Sequence, residues 1–185
     1  MLTIIGNGES RKEIDIDKIP GIKIGCNGIY LHNNVDYICA MDKFWRNKIS
    51  VESNIPLISR YHNASFQLYL ELFDGKWKNT ECPYRGYCSG ISALDFACSC
   101  LKDDEIYLIG FEFGYNGPTV NHIYKDTKFH PKADRKAQNE DIFLKQAIET
   151  RKRYPRKNIH WVTNGEEDFG FSLIKIKEYI SLCGN

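Results

Sequence analysis

The sequence predicts an α/β fold, a mainly parallel, twisted sheet flanked by helices, in one domain over residues 1–185. Three observations carry this. Short apolar runs rich in Ile, Val and Tyr alternate with stretches of helical periodicity, the pattern of strand–helix–strand units. The strand-like runs end, one after another, in glycine or polar turns: Gly6-Asn7-Gly8, Cys26-Asn27-Gly28, Met41-Asp42 and Gly110-Phe111-Glu112. In a parallel sheet such ends share one edge, where ligands collect. Finally, 185 residues with a 42% hydrophobic and 13% aromatic content can bury a substantial core without cross-links.

The elements follow in order. Leu2, Thr3, Ile4 and Ile5 read as a buried strand that Gly6-Asn7-Gly8-Glu9-Ser10 ends. Residues 11–20 are short and polar; Ser10 can cap a brief helix there, and Pro20 stops it. Residues 21–26 and 35–40 are the second and third strands, 43–50 a helix, and 56–59 a fourth strand. The aromatic stretch 66–73 fits helix or strand, and 74–87, with Gly75, Pro83 and Gly86, reads as loop. Ser89-Gly90 opens a helix over 91–101 whose small residues Ala93, Ala97 and Cys98 suit close packing on a sheet. Residues 105–110 are the clearest strand, and a long polar loop follows to about residue 131. Loops of that length are more often functional than incidental. The longest helix covers 132–154, with Ala137, Ile142, Phe143, Ala147 and Ile148 on one face and Pro155 at its end. Residues 158–163 are the last strand and 171–182 a closing helix.

Charge excludes some partners. With 25 basic against 24 acidic residues, the net charge of +1 offers no pull on nucleic acid or an anionic membrane. The one basic cluster, Arg151-Lys152-Arg153-Tyr154-Pro155-Arg156-Lys157, falls at a helix end, where cations suit the dipole. Of the seven cysteines none forms a C-x-x-C pair, and Cys98-Ser99-Cys100 has the wrong spacing for a zinc knuckle. They read as structural thiols. No secretory leader and no membrane-length apolar run is visible, so a reducing, cytoplasmic setting is expected. No H-x-x-x-H pattern occurs, and no tightly bound metal or cofactor is expected.

An apolar strand ending in Gly-x-Gly lets the backbone pass close to a bound phosphate, which makes Gly6, Asn7, Gly8 and Ser10 the first nucleotide-contact candidates. A plain Asn-Gly turn is the alternative. Arg11 stands where a dinucleotide fingerprint has its third glycine, and the second strand ends at Asn27 instead of an acidic residue. No Gly-Lys-Ser/Thr ending is present, so nicotinamide dehydrogenases and P-loop NTPases are both disfavoured. Asn7 and Asn27 can each donate an amide hydrogen bond to a phosphate or base. Ser89-Gly90, at a helix start, is a cap or an anion contact, and the two are compatible. Asp42 and Glu112 follow strands and can hold a ribose or sugar hydroxyl, or cap turns. In the long loop His122 or His130 can serve as general base, and Tyr115 and Tyr124 can stabilise a departing phosphate.

Four pieces in order carry a family resemblance: Ile4-Ile5-Gly6-Asn7-Gly8-Glu9-Ser10, Gly25-Cys26-Asn27, Tyr87-Cys88-Ser89-Gly90, and the strand from Glu105 through Gly110-Phe111-Glu112-Phe113. Together they resemble the bacterial family 42 sialyltransferases and a related Rossmann-like group that includes 6-hydroxymethylpterin pyrophosphokinases. Glu9 replaces the proline of the family's G-N-G-P-S, and Asp42 stands where the sialyltransferases have asparagine. The resemblance implies a Rossmann-like, metal-independent transferase with a CMP-type nucleotide-sugar as co-substrate and a glycan or other hydroxyl acceptor. It implies nucleotide contacts from Asn7, Asn27, Ser89 and Gly90, with Phe111 and Glu112 at the base or ribose end. His122 is the best match for the acceptor's base, with Tyr115 and Tyr124 at the phosphate. Short proteins of this kind look like phage-encoded or bacterial accessory glycan enzymes. Two alternatives stay open: a Mg-dependent pyrophosphokinase or nucleotide hydrolase using Asp42 and Glu112, and a non-catalytic nucleotide-binding protein. Homo-oligomer formation is also open.

Overall fold

Leu2–Ile5 forms strand β1, buried on both faces as befits a strand at the centre of a parallel sheet. The structure, a computed structural model, describes residues 1–59, 88–113, 122–125, 127–128 and 140–184. Within them the chain runs β1, β2 (Ile22–Cys26), β3 (Tyr37–Cys39), α1 (Lys43–Glu52), β4 (Leu57–Ile58), α2 (Ser89–Cys100), β5 (Glu105–Ile109), α3 (Glu140–Arg153), β6 (Asn158–Val162), β7 (Ser172–Ile174) and α4 (Ile176–Leu182). Every strand pair is parallel, in the order β4-β3-β2-β1-β5-β6-β7. The sheet therefore grows from β1 in one direction, through β2, β3 and β4, and then in the other from β5. The reversal falls between the carboxyl ends of β1 and β5, the position at which open α/β sheets place a ligand crevice.

Alternation along the strands sorts two cores. Leu2 and Ile4 of β1, with Ile24, Leu108, Ile159 and Trp161, pack under α2 and α3. Ile5, Ile38, Ile109, Val162 and Ile174 pack on the opposite face under α1, through Trp45 and Ile49, and under α4, through Ile176 and Tyr179. The Thr3 hydroxyl points to that second face and shares a 2.8 Å hydrogen bond with the Tyr179 phenol. Burial pushes that phenol well above its ordinary range. The expected α/β, Rossmann-like architecture is present, and no helix among the described residues is long and apolar enough to cross a membrane.

Three expectations need correction. Residues 171–182 are not one helix: Ser172–Ile174 is the edge strand β7, paired with β6, and the helix begins only at Ile176. Three residues are too few to show a period, so pairing to β6 decides between strand and helix. Ser10 does not cap the turn after β1. Gly8 holds that position, ahead of a 3-10 turn over Glu9–Glu13. Ser89 is likewise inside α2, behind an N-cap at Cys88. The long helix is seen from Glu140, and the stretches 66–73, 74–87 and 132–139 lie outside the described residues.

The basic cluster is partly structural. Arg153 reaches the buried Asp95 carboxylate of α2 at 3.0 Å, and the Lys157 ammonium donates to the Leu101 and Asp103 carbonyls at 3.0 and 2.7 Å. Cys26 and Cys39 are buried thiols pushed up by burial, and the six described cysteines are free; Cys82 lies outside the described residues.

Tyr179→Phe leaves the buried Thr3 hydroxyl without its partner. Urea unfolding is expected to show a loss of about 1–2 kcal/mol with an unchanged m value.

Candidate functional site

The crevice is built by two loops that cross at close range. The Gly6 amide donates to the Ile109 carbonyl and the Gly8 amide to the Gly110 carbonyl, both at 2.8 Å. The Ser10 amide donates to Glu112 Oε1 at 2.9 Å. A side chain at position 6 would place its Cβ 2.3 Å from the Gly110 carbonyl oxygen, and one at position 8 would place it 2.3 Å from Glu112 Oε1. Gly110 turns at φ +66°, a left-handed conformation that suits glycine. Thus the groups that come close to Gly6 and Gly8 here are the Gly110 backbone and the Glu112 side chain, and the loop's amides are engaged within the fold.

The Asn7 side chain of this loop is half-buried and anchored through its oxygen. Arg11, only 3% exposed, donates from Nη1 to the Gly6 carbonyl at 2.7 Å and to Asn7 Oδ1 at 3.1 Å, and from Nη2 to the Tyr124 hydroxyl oxygen at 3.3 Å. Asn7 is thereby held by its oxygen, and the network assigns its other end as Nδ2, with two donors that no described residue accepts. The Asn7 carbonyl accepts from the Ile123 amide at 2.8 Å, which ties the loop to residues 122–125.

A second carboxamide is held in the same way at the next strand end. Asn27 follows β2 with φ +53°, a conformation asparagine tolerates better than most residues. Its Oδ1 accepts from the Ser89 hydroxyl at 2.9 Å, and that hydroxyl oxygen accepts from the Met41 amide at 3.1 Å. One buried hydroxyl thus joins the ends of β2 and β3 to the start of α2, and the Asn27 Nδ2 group is left to donate outward. Sequence reasoning placed Ser89 at a helix start but missed the pair it makes with Asn27.

The remaining candidates divide. Asp42 is exposed at the N-terminal end of α1, its carboxylate without a hydrogen bond among the described residues. Glu112 lies half-buried over Gly8. Phe111 is buried: its ring would meet a Cβ at Gly90 at 2.8 Å and one at Gly6 at 3.2 Å, so it fills space between the two glycines. Its carbonyl accepts from the Trp161 indole at 2.7 Å. His122 Nδ1 accepts from the Tyr124 amide at 3.1 Å, which leaves the proton of a neutral ring on Nε2. Tyr124 is buried among the rings of His32, Trp45 and His122. Burial raises its phenol above the ordinary value, and the Arg11 guanidinium pulls in the opposite direction. Tyr115 and His130 lie outside the described residues. His160 is elsewhere, stacked on Tyr107 and bonded to Glu105 on the sheet.

Arg11 is the residue that sequence reasoning passed over, noting it only as the occupant of a missing glycine's place. Nothing in the string distinguishes it from Lys12, which is exposed and pairs with Glu9. Its burial follows from the loop crossing.

No protein-family model matches the sequence, and no curated protein does. The fold does find counterparts. The monofunctional alpha-2,3-sialyltransferase Cst-I from Campylobacter jejuni matches 89% of this chain over 76% of its own, with a TM-score of 0.54 at 16% identity. The chain shares its fold with a sialyltransferase. CstII from Campylobacter jejuni, solved in complex with a substrate analogue, cytidine-5'-monophosphate, matches more loosely, over 86% of this chain and 78% of its own, with a TM-score of 0.43 at 18% identity. At such identities the likeness to Cst-I is one of fold, and a fold hosts many activities.

Ser89→Ala removes one hydroxyl that serves both the Asn27 oxygen and the Met41 amide. It is expected to cost about 1–3 kcal/mol. In a double-mutant cycle with Asn27→Ala, measured by urea unfolding, the two losses should fall short of additivity by about 0.5 kcal/mol or more; strict additivity would mean that the two side chains act independently.

Proposed function

We propose that the crevice between β1 and β5 binds a cytidine nucleotide, and that the chain is a glycosyltransferase using a CMP-type sugar donor. The observation that carries this is the pair of carboxamides at successive strand ends, Asn7 and Asn27, each held by its oxygen so that its amide group keeps donors that no described residue accepts. Neutral donors in fixed positions suit the oxygens of a phosphate and the acceptor edge of a pyrimidine. Asp42 and Glu112 are acceptors for ribose or sugar hydroxyls, and Ser89 and Gly90 begin the helix beside them. The fold shared with Cst-I supports the reading, as does the resemblance in the four ordered motifs.

The chemistry would be in-line displacement at the anomeric carbon. The acceptor oxygen forms the new C–O bond, the bond to the phosphate oxygen breaks, and its electron pair leaves with the nucleotide. His122 is the base candidate for the acceptor proton. Since its Nδ1 accepts from the Tyr124 amide, base action at Nε2 requires the ring to release that amide and carry its own proton on Nδ1. Tyr124, against Arg11, and Tyr115 are candidates for the departing phosphate.

Thermal-shift titration with CMP should raise Tm by the linkage of binding to folding, and Asn7→Ala and Asn27→Ala should each weaken CMP about tenfold. Transfer from a CMP-sugar should survive EDTA; dependence on Mg²⁺ would favour a pyrophosphokinase or hydrolase with Asp42 and Glu112 on the ion. His122→Ala should abolish turnover and spare CMP binding, and unaltered turnover would remove it as the base. Binding with the ligand recovered intact would favour a non-catalytic nucleotide-binding protein.

A further inference from the structure

Taking a guanidinium out of water is costly, and buried cations are ordinarily balanced by a carboxylate. Arg153 and Lys157, both less deeply buried than Arg11, follow that rule on Asp95 and Asp104. Arg11 does not. Its partners are the Gly6 carbonyl, the Asn7 carboxamide oxygen and the Tyr124 hydroxyl oxygen, all neutral, with the Tyr124 ring 5.7 Å from the guanidinium carbon. Neighbouring carboxylates are engaged elsewhere: Glu9 on Lys12 and Lys125, and Glu112 on the Ser10 amide. Among the described residues no carboxylate is in ion-pair contact with Arg11.

The cation is also in the right place to matter. It lies against the loop after β1, and through Nη1 it holds the Asn7 oxygen, which leaves the Asn7 amide group with donors that no described residue accepts. Resting on the nucleotide reading above, we propose that Arg11 is a positioning and charge-selecting residue: it presets Asn7 as a donor, and its unbalanced positive charge is completed by an anionic ligand, the phosphate of a nucleotide or sugar nucleotide. In a low-dielectric setting such a charge acts beyond hydrogen-bond range. It therefore discriminates a phosphorylated nucleoside from a neutral one without needing to touch the phosphate.

Calorimetric titration of CMP and of cytidine into the wild type, Arg11→Met, Arg11→Lys and Asn7→Asp tests this. The wild type should prefer CMP over cytidine by about tenfold or more. Arg11→Met should lose most of that preference, and Arg11→Lys, which keeps the charge but not the fork, should retain part of it. Asn7→Asp supplies the missing carboxylate within the chain, so it should raise Tm and erase the preference for CMP. That variant leaves Arg11 in place and remains informative if Arg11→Met does not fold. A preference for CMP that is unchanged in Asn7→Asp or in a folded Arg11→Met, or an Asn7→Asp variant of lowered Tm, overturns the assignment and leaves the nucleotide reading standing. A wild type that binds neither CMP nor cytidine overturns the nucleotide reading and this inference with it.

Discussion

The crossing of the loops after β1 and β5 is the contact on which the rest of the site depends. Two backbone hydrogen bonds, Gly6 to Ile109 and Gly8 to Gly110, extend the strand pairing past the sheet edge. Pairing that close has no room for a Cβ at Gly6, and the Glu112 side chain takes the space beside Gly8. The crossing closes the floor of the crevice, carries the Glu112 carboxylate over Gly8 to the Ser10 amide, and brings Arg11 beneath Asn7. A wider crossing would let water reach the guanidinium and would release the Asn7 carboxamide. The glycines thus act at one remove, by fixing what surrounds the Asn7 carboxamide.

Polar groups buried around this floor are joined in short chains that each link separate elements. Ser89 ties Asn27 to Met41, Arg11 ties Asn7 to Tyr124, and Asn7 in turn accepts from Ile123. In both chains the carboxamide oxygen is occupied, and its amide group keeps donors that no described residue accepts. Orientation of an Asn side chain is otherwise nearly free, so these bonds remove an entropy cost that a ligand would have to meet on binding. Away from the site the same economy serves stability alone, as in the Arg153–Asp95 pair between α3 and α2 and the Thr3–Tyr179 bond under α4.

Much of the fold was legible in the string because the central strands are short runs rich in β-branched and aromatic residues: Leu2–Ile5 is wholly buried, and Ile106, Leu108, Ile159 and Trp161 are the buried residues that alternate along Glu105–Ile109 and Asn158–Val162. The edge strand Ser172–Ile174 was not, since its three residues become a strand only by pairing with β6. In the site, Asn7, Asn27 and Ser89 were legible as polar residues at strand ends and a helix start. Their partnership was not, because 62 residues separate Asn27 from Ser89. Phe111, which the resemblance puts at the base or ribose end, is buried and fills space between Gly6 and Gly90.

By itself, then, the sequence determined the layer architecture and which strand ends are polar, since hydrophobic period and turn chemistry are local properties. Strand order was beyond it, and with strand order went the position of the crevice, because the reversal between β1 and β5 is a fact about neighbours in space. The burial of Arg11 without a carboxylate partner among the described residues was likewise decided only by the tertiary structure. A charge in sequence carries no record of its dielectric surroundings, and here those are set by two loops that meet from opposite ends of a stretch of about a hundred residues, within the reach that loop-closure entropy allows.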